Sequence, residues 1–135
     1  RWVEGVDAYL KALSDEAPPV RYWAVIGLNQ AAHKGADAAS PVRPAVEALA
    51  KDPDPAVRAA VGEALCTMGR MDAGLNLLAA VATGDTGMAS CLASWALWRL
   101  GDKASPILPK IENAPIPKGY PRAALGRIVK ALQKA

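Results

Sequence analysis

A segment that recurs along the chain most strongly constrains its fold. Residues 52–69 read DPDPAVRAAVGEALCTMG, and the pattern of residues 57–69 returns in three other segments, residues 20–32, 89–101 and 121–133. The starting positions 20, 57, 89 and 121 place successive copies 37, 32 and 32 residues apart. Aliphatic residues recur in the same columns, for example Leu28, Leu65, Leu97 and Val129. Such a period is typical of a solenoid of stacked helix pairs.

The most regular copy carries the start and stop signals of a helix. Asp52 and Asp54 are suited to accept hydrogen bonds from the free amides of a first turn. Pro55 suits the first helical position, and Gly69 is a common C-terminal stop. Apolar residues follow at the spacing of one helix face, namely Val57, Val61, Ala64, Leu65 and Met68. The sequence therefore predicts a helix over residues 55–68.

A further helix is predicted ahead of each aligned segment. The four candidates are residues 2–13, 42–50, 73–82 and 105–113. Pro44 and Pro109 fall inside two of them and should bend or delay the first turn. We therefore predict eight helices in four antiparallel pairs, without strands, within one domain. The units are about 1–35, 36–70, 71–102 and 103–135.

An aspartate lies six residues before an arginine in the first two units, in the pairs Asp15 with Arg21 and Asp52 with Arg58. This pattern resembles the HEAT repeat, in which the two residues help to tie neighbouring turns together. The resemblance implies an all-α, right-handed α–α superhelix of about four helix pairs. The later units depart from the pattern and have Gly84 with Ser90 and Ile116 with Arg122.

Residues 19–28, PVRYWAVIGL, resemble the HEAT-like region that follows the catalytic domain in some bacterial sulfatases of the sulfoglucosamine sulfohydrolase type. The resemblance implies that the chain is the C-terminal part of a larger bacterial enzyme. If the chain is a sulfatase segment, we expect it to be periplasmic or extracellular, and if it is not, we expect it to be cytoplasmic. A sulfatase nucleophile needs a CxPxR- or SxPxR-like context, which neither Cys66 nor Cys91 has. We therefore expect no enzymatic activity and no cofactor in this segment itself.

Few residues are candidates for catalysis or metal binding. Cys66 and Cys91 lie in predicted helices without CxxC spacing, so we interpret them as buried free thiols. His33 is the single histidine, which argues against a zinc site. Its place near a predicted helix end favours a solvated or capping side chain over a catalytic base. No apolar run is long enough for a membrane span.

Two columns of the alignment change character between units. One holds Ile26, Glu63, Trp95 and Arg127, and the next holds Asn29, Cys66, Trp98 and Lys130. We predict that they line an exposed face of the second-helix layer, which is the concave side of HEAT-like solenoids. Amphipathic aromatics beside arginine are the composition of interaction hot spots. The candidate interaction patch is Trp95, Trp98, Arg127, Lys130, Glu63 and Asn29.

The alternative for Trp95 and Trp98 is that both rings fill space left by small neighbours and belong to the core. Trp23 aligns with Ala60 and Leu92, and we expect it to be buried. Tyr22 aligns with Ala59 and Cys91, which indicates a partly exposed position or one between helices.

Charge is distributed unevenly along the chain. Residues 1–98 carry 8 basic and 11 acidic side chains, a net of −3, and residues 99–135 carry 8 and 2, a net of +6. The predicted last helix has a stripe of Arg127, Lys130 and Lys134. It is either a capping helix with a polar outer side or a surface for an acidic protein, nucleic acid or sulfated glycan. Nucleic acid is the weakest of these because the chain's net charge is only +3.

The leading hypothesis is a non-catalytic protein-docking module that binds its own catalytic domain or another protein. The alternatives are an enzyme acting directly, such as a HEAT-type lyase or DNA glycosylase, and a free-standing scaffold protein.

Overall fold

The structure is a computed structural model that describes residues 2–35, 41–84, 86–114 and 120–134. Regular structure in these ranges is entirely helical, as predicted. The elements are α1 (Trp2–Ala12), α2 (Pro18–His33), α3 (Val42–Glu47), α4 (Pro55–Thr67), α5 (Met71–Thr83), α6 (Met88–Leu100), a 3₁₀ segment (Gly101–Ile107), α7 (Leu108–Glu112) and α8 (Tyr120–Gln133). Ile116 and the side chain of Arg122, which the repeat pattern singled out, lie outside the described residues.

The helices form two layers, as a solenoid requires. The second helices pack side by side in the order α2, α4, α6 and α8. The first helices of the units contact one another much less, and each packs mainly against the neighbouring second helices. One core cluster joins α2, α3 and α4, and the other joins α5, α6 and α8. Helix α4 contributes Ala60 and Val61 to the former and Ala59 and Cys66 to the latter, so it links both halves.

The predicted helix over residues 55–68 is confirmed to within one residue. The Asp54 Oδ1 atom accepts from the amides of Ala56 at 2.8 Å and Val57 at 3.2 Å, which satisfies two free donors of the first turn. Gly69 then takes a φ of +83°, which glycine adopts without the strain that other residues meet.

Proline delays the last first-layer helix, as expected. The chain forms the 3₁₀ segment through Ile107, and α7 begins only at Leu108 with Pro109 in its first turn. The predicted helix over 105–113 is therefore divided in two, because a proline at position 109 lacks the amide that an earlier α-helix would use.

The Asp–Arg pattern ties one turn to the next. The Arg21 guanidinium binds Asp52 of the following unit with two hydrogen bonds, Nε to Oδ2 at 2.8 Å and Nη2 to Oδ1 at 3.0 Å. The Arg21 Nη1 atom donates to the Asp15 carbonyl of its own turn at 2.9 Å. In the same way, Arg58 Nη1 donates to the Asp52 carbonyl at 2.7 Å. Each arginine therefore stabilises the turn of its own unit, and Arg21 also binds the turn of the next unit through Asp52.

The environment of Asp52 favours the charged carboxylate. Burial raises the pKa of Asp52, but the hydrogen bonds from Arg21 and from the Asp54 amide outweigh that effect, so the pKa lies below its usual value. The third unit has Gly84 in place of this aspartate. There the Ser90 hydroxyl donates to the Gly84 carbonyl at 3.0 Å, which preserves the bond within the turn but not the ion pair between turns.

Two glycines let α4 and α5 approach closely. A Cβ atom on Gly74 would lie 2.5 Å from the Gly62 carbonyl oxygen and 2.5 Å from Cys66 Sγ. Both distances are far inside van der Waals contact, so position 74 does not accommodate a side chain unless a helix moves. This contact joins the second unit to the third, where the Asp–Arg ion pair is missing.

Candidate functional site

The two tryptophans of the candidate patch lie at the surface. Trp95 is 41% exposed and Trp98 is 56% exposed, so the alternative that both rings fill the core is wrong. Their ring centroids are 5.7 Å apart with an interplanar angle of 86°, an edge-to-face pair. Helix geometry explains the pairing, since residues three apart on α6 share one side.

Other members of the candidate patch divide between surface and interior. Arg127 and Lys130 are exposed on α8, as predicted. Asn29 is buried, so its inclusion in an exposed patch is wrong. Cys66 in the same column is also buried, because α5 approaches it at Gly74. Of the four residues in this column, Trp98 and Lys130 reach solvent, whereas Asn29 and Cys66 do not.

Glu63 is part of the surface but is already paired. Its Oε2 atom accepts from Arg99 Nε at 2.9 Å and lies 2.8 Å from Arg99 Nη2. This ion pair crosses from α4 to α6 beside Trp95. The repeat pattern does not indicate Arg99 as the partner of Glu63, because the two residues are 36 positions apart and lie in different columns of the alignment.

A cavity of about 170 Å³ opens between α2, α4 and α6. Tyr22 and Ile26 line it from α2, and Leu92, Trp95 and Arg99 line it from α6. Its α4 wall consists of Ala59, Ala60 and Glu63. The small alanine side chains leave room for the cavity, and the rings of Tyr22 and Trp95 flank it on opposite helices.

An adjoining cavity of about 350 Å³ extends this depression towards the N-terminal ends of the helices. It shares Tyr22 and Leu92 with the smaller cavity, and its other walls include Pro18 and Pro19. We call the two cavities together the second-helix groove. Tyr22 is half-buried, as predicted, and burial raises the pKa of its hydroxyl while Arg99 opposes that shift.

The expected burial of Trp23 is wrong, because its side chain is 65% exposed. The aligned Ala60 of α4 is only 5% exposed, since α4 packs against α2 on that side. Helix α2 has no second helix before it among the described residues. Its corresponding side therefore faces solvent, and the Trp23 ring makes an edge-to-face contact with the Tyr22 ring at 5.3 Å.

The residues with reactive side chains have ordinary structural positions. Cys66 and Cys91 are buried free thiols, as predicted. Burial raises the pKa of Cys66 to about 11, which suppresses the reactive thiolate. His33 ends α2 on the surface, with Nε2 3.4 Å from the Thr67 hydroxyl. Within the described ranges, His, Cys, Asp and Glu side chains form no group of three that could hold a metal ion.

None of the helices described here has both the length and the apolar character needed to cross a membrane.

The family model for HEAT repeats matches residues 6–97, well over half of the chain. The chain belongs to the HEAT repeat family. No curated protein and no solved structure matches this HEAT-repeat chain. HEAT repeats generally mediate protein–protein interaction, and the family is typically non-catalytic. The comparisons support this family and give no support to the narrower sulfatase resemblance.

Proposed function

We propose that this HEAT-repeat domain is a non-catalytic docking module that binds a protein partner in the second-helix groove. The observation that carries the proposal is the exposed Trp95–Trp98 pair, in which Trp95 lines that groove and Trp98 contacts Trp95. Tryptophan is among the residues most enriched at interface hot spots, because it supplies a large contact area at a low entropic cost. An exposed pair beside a preformed depression therefore favours binding over a purely structural role.

The charge of α8, which packs against α6 beside the groove, favours an acidic partner. The Glu63–Arg99 pair neutralises itself, whereas α8 contains no acidic residue and exposes Arg127 and Lys130. Glu112, which lies near α8, accepts a hydrogen bond from Gln133 at 2.7 Å. Among the described residues, no carboxylate lies within ion-pair distance of Arg127 or Lys130. A partner with carboxylates at its rim would therefore associate faster as well as more tightly.

The partner is either a catalytic domain of the same protein or a separate protein. A sulfatase domain is one hypothesis for the former, motivated by the resemblance of residues 19–28. The full open reading frame distinguishes the two sources, since a catalytic domain encoded in the same frame is the natural first partner to test.

Replacing the tryptophan pair tests the groove. We expect Trp95→Ala with Trp98→Ala to weaken binding of a purified partner by about 2 kcal/mol or more, roughly thirtyfold in Kd. Isothermal titration with a partner first identified by affinity capture measures this. Trp23→Ala is the matched control, because it removes an exposed tryptophan that lines neither cavity.

Two results would contradict the proposal. One is equal binding by the wild type and the double variant. The other is a loss of several kcal/mol of folding stability in the double variant, which is the behaviour of core tryptophans.

A further inference from the structure

The side of α2 that faces away from α4 is an incomplete copy of an interface found elsewhere in the chain. On α4, Val57 and Ala60 belong to the core cluster shared with α2, and Val57 is fully buried. The aligned residues of α2 are Val20, which is 40% exposed, and Trp23, which is largely exposed. The side of α4 that α2 covers is therefore buried, whereas the equivalent side of α2 is exposed.

The polar part of that interface is incomplete as well. Asp15 Oδ1 accepts from the Ala17 amide at 2.8 Å, as Asp52 Oδ1 accepts from the Asp54 amide at 2.9 Å. Asp52 additionally holds the guanidinium of Arg21, which comes from the preceding unit. Asp15 is exposed, and among the described residues no cation lies within ion-pair distance of its carboxylate.

A third feature adjoins this edge. A cavity of about 340 Å³ lies between α1 and α2, and Tyr9, Gly27 and Gln30 are among its walls. Gly27 lies one helical turn after Trp23, and the Tyr9 ring fills the place of its missing Cβ. The edge therefore combines exposed apolar side chains, a cavity and a carboxylate that has no cation within ion-pair distance among the described residues.

We propose that the edge formed by Asp15, Val20 and Trp23 binds an amphipathic α-helix of a partner protein. The helix lies along α2 as α2 lies along α4. It carries an arginine that pairs with Asp15, since Asp52 is bound in this way. It places a small residue against Trp23, because the indole is far larger than the side chain of Ala60. This site is independent of the second-helix groove and does not rest on the proposed function.

The chain itself supplies a probe for this site. A labelled peptide with the sequence of residues 52–69 and Cys66→Ala is alanine-rich and begins with its own cap. It carries Arg58 at the position aligned with Arg21. Fluorescence anisotropy with the 135-residue chain should give a Kd on the order of 10–100 μM, because a single short helix must order as it binds.

Variants of both molecules identify the contacts. We expect Trp23→Ala and Asp15→Asn in the chain each to weaken peptide binding about tenfold. The peptide with Arg58→Ala should lose a similar factor against the wild-type chain and lose nothing further against Asp15→Asn, because the two changes break the same pair. Trp98→Ala is the matched control in the chain and should leave the Kd unchanged, and circular dichroism verifies that each variant is folded.

Several outcomes would overturn the inference. No binding at about 1 mM peptide would do so, as would unchanged affinity in both Trp23→Ala and Asp15→Asn. Loss of binding in Trp98→Ala alone would move the peptide to the second-helix groove. A dimer of the chain that dissociates on Trp23→Ala would assign the edge to a second copy instead. None of these results alters the test of the second-helix groove, because that test uses a different partner and has Trp23→Ala as its control.

Discussion

Asp52 has two functions that the sequence spacing alone does not separate. Its carbonyl receives Arg58 from its own unit, and its carboxylate receives Arg21 from the unit before. The repeat pattern identifies all of these residues but does not show which arginine pairs with which aspartate. A separation of six residues along the chain does not reveal which turns are neighbours in the fold. The contact at a separation of 31 residues is set by the stacking of whole units.

Removing the Asp52 carboxylate should destabilise the fold in a pH-dependent way. We expect Asp52→Asn to lower the free energy of unfolding by about 1.5–3 kcal/mol at neutral pH, since it weakens charge-assisted hydrogen bonds. The folded-state pKa lies below the unfolded one, so the stabilisation is complete above about pH 5 and is lost as pH falls through the folded pKa.

Urea unfolding at a series of pH values measures this effect. The difference between wild type and Asp52→Asn should shrink below about pH 4. Asp7→Asn is the control, because Asp7 is exposed on α1, and it should change stability by about 0.5 kcal/mol or less at any pH. A difference that stays constant down to acid pH would exclude the Arg21–Asp52 pair as its cause.

At the scale of helices, the sequence predicts more about each element than about its surroundings. The caps, the periodic apolar faces and the delay at Pro109 follow from local chemistry and are confirmed. Exposure does not follow from the aligned column, because it depends on which neighbour is present. Asn29 is buried where Trp98 is exposed, and Trp23 is exposed where Ala60 is buried, although each pair shares a column.

The close contact of α4 and α5 should be sensitive to a single methyl group. We expect Gly74→Ala to destabilise the fold by about 1–3 kcal/mol, because the new Cβ collides with the backbone of Gly62 and Cys66. Gly126→Ala in α8 is the matched control, since a Cβ there meets nothing within 4 Å. It should stabilise by about 0.5–1 kcal/mol through helix propensity.

Chemical denaturation of both variants with one denaturant compares the two effects directly. If Gly74→Ala were neutral or stabilising, α4 and α5 could move apart at little cost in free energy. That result would contradict the tight packing inferred from the Gly62–Gly74 contact.

For the whole molecule, the uneven charge distribution should govern association with an acidic partner. We expect Arg127→Glu with Lys130→Glu to slow association about tenfold or more at low salt, since both cations are exposed and lack described carboxylate partners. Lys103→Glu with Lys110→Glu is the control for net charge, because it makes the same change at exposed positions outside α8. Stopped-flow kinetics with the partner measure the rates, and equal slowing by both variants would show that only the total charge matters.

Stability should also vary along the solenoid. In a repeat protein each unit is stabilised by its neighbours, so an inner helix opens only with the units on both sides. Helix α4 contributes to both core clusters, whereas α1 contacts mainly α2. We therefore expect amide hydrogen exchange to be slowest in α4 and fastest in α1.

The same exchange measurement connects the terminal edge of α2 to the fold as a whole. A helix bound beside Asp15 and Trp23 would cover the exposed side of α2, and should slow exchange in α1 and α2 while leaving α6 nearly unchanged. A ligand in the second-helix groove would instead protect α2, α4 and α6 together, because all three line it. The pattern of protection therefore distinguishes the two binding surfaces, and uniform protection of all helices would contradict the assignment of either ligand to one surface.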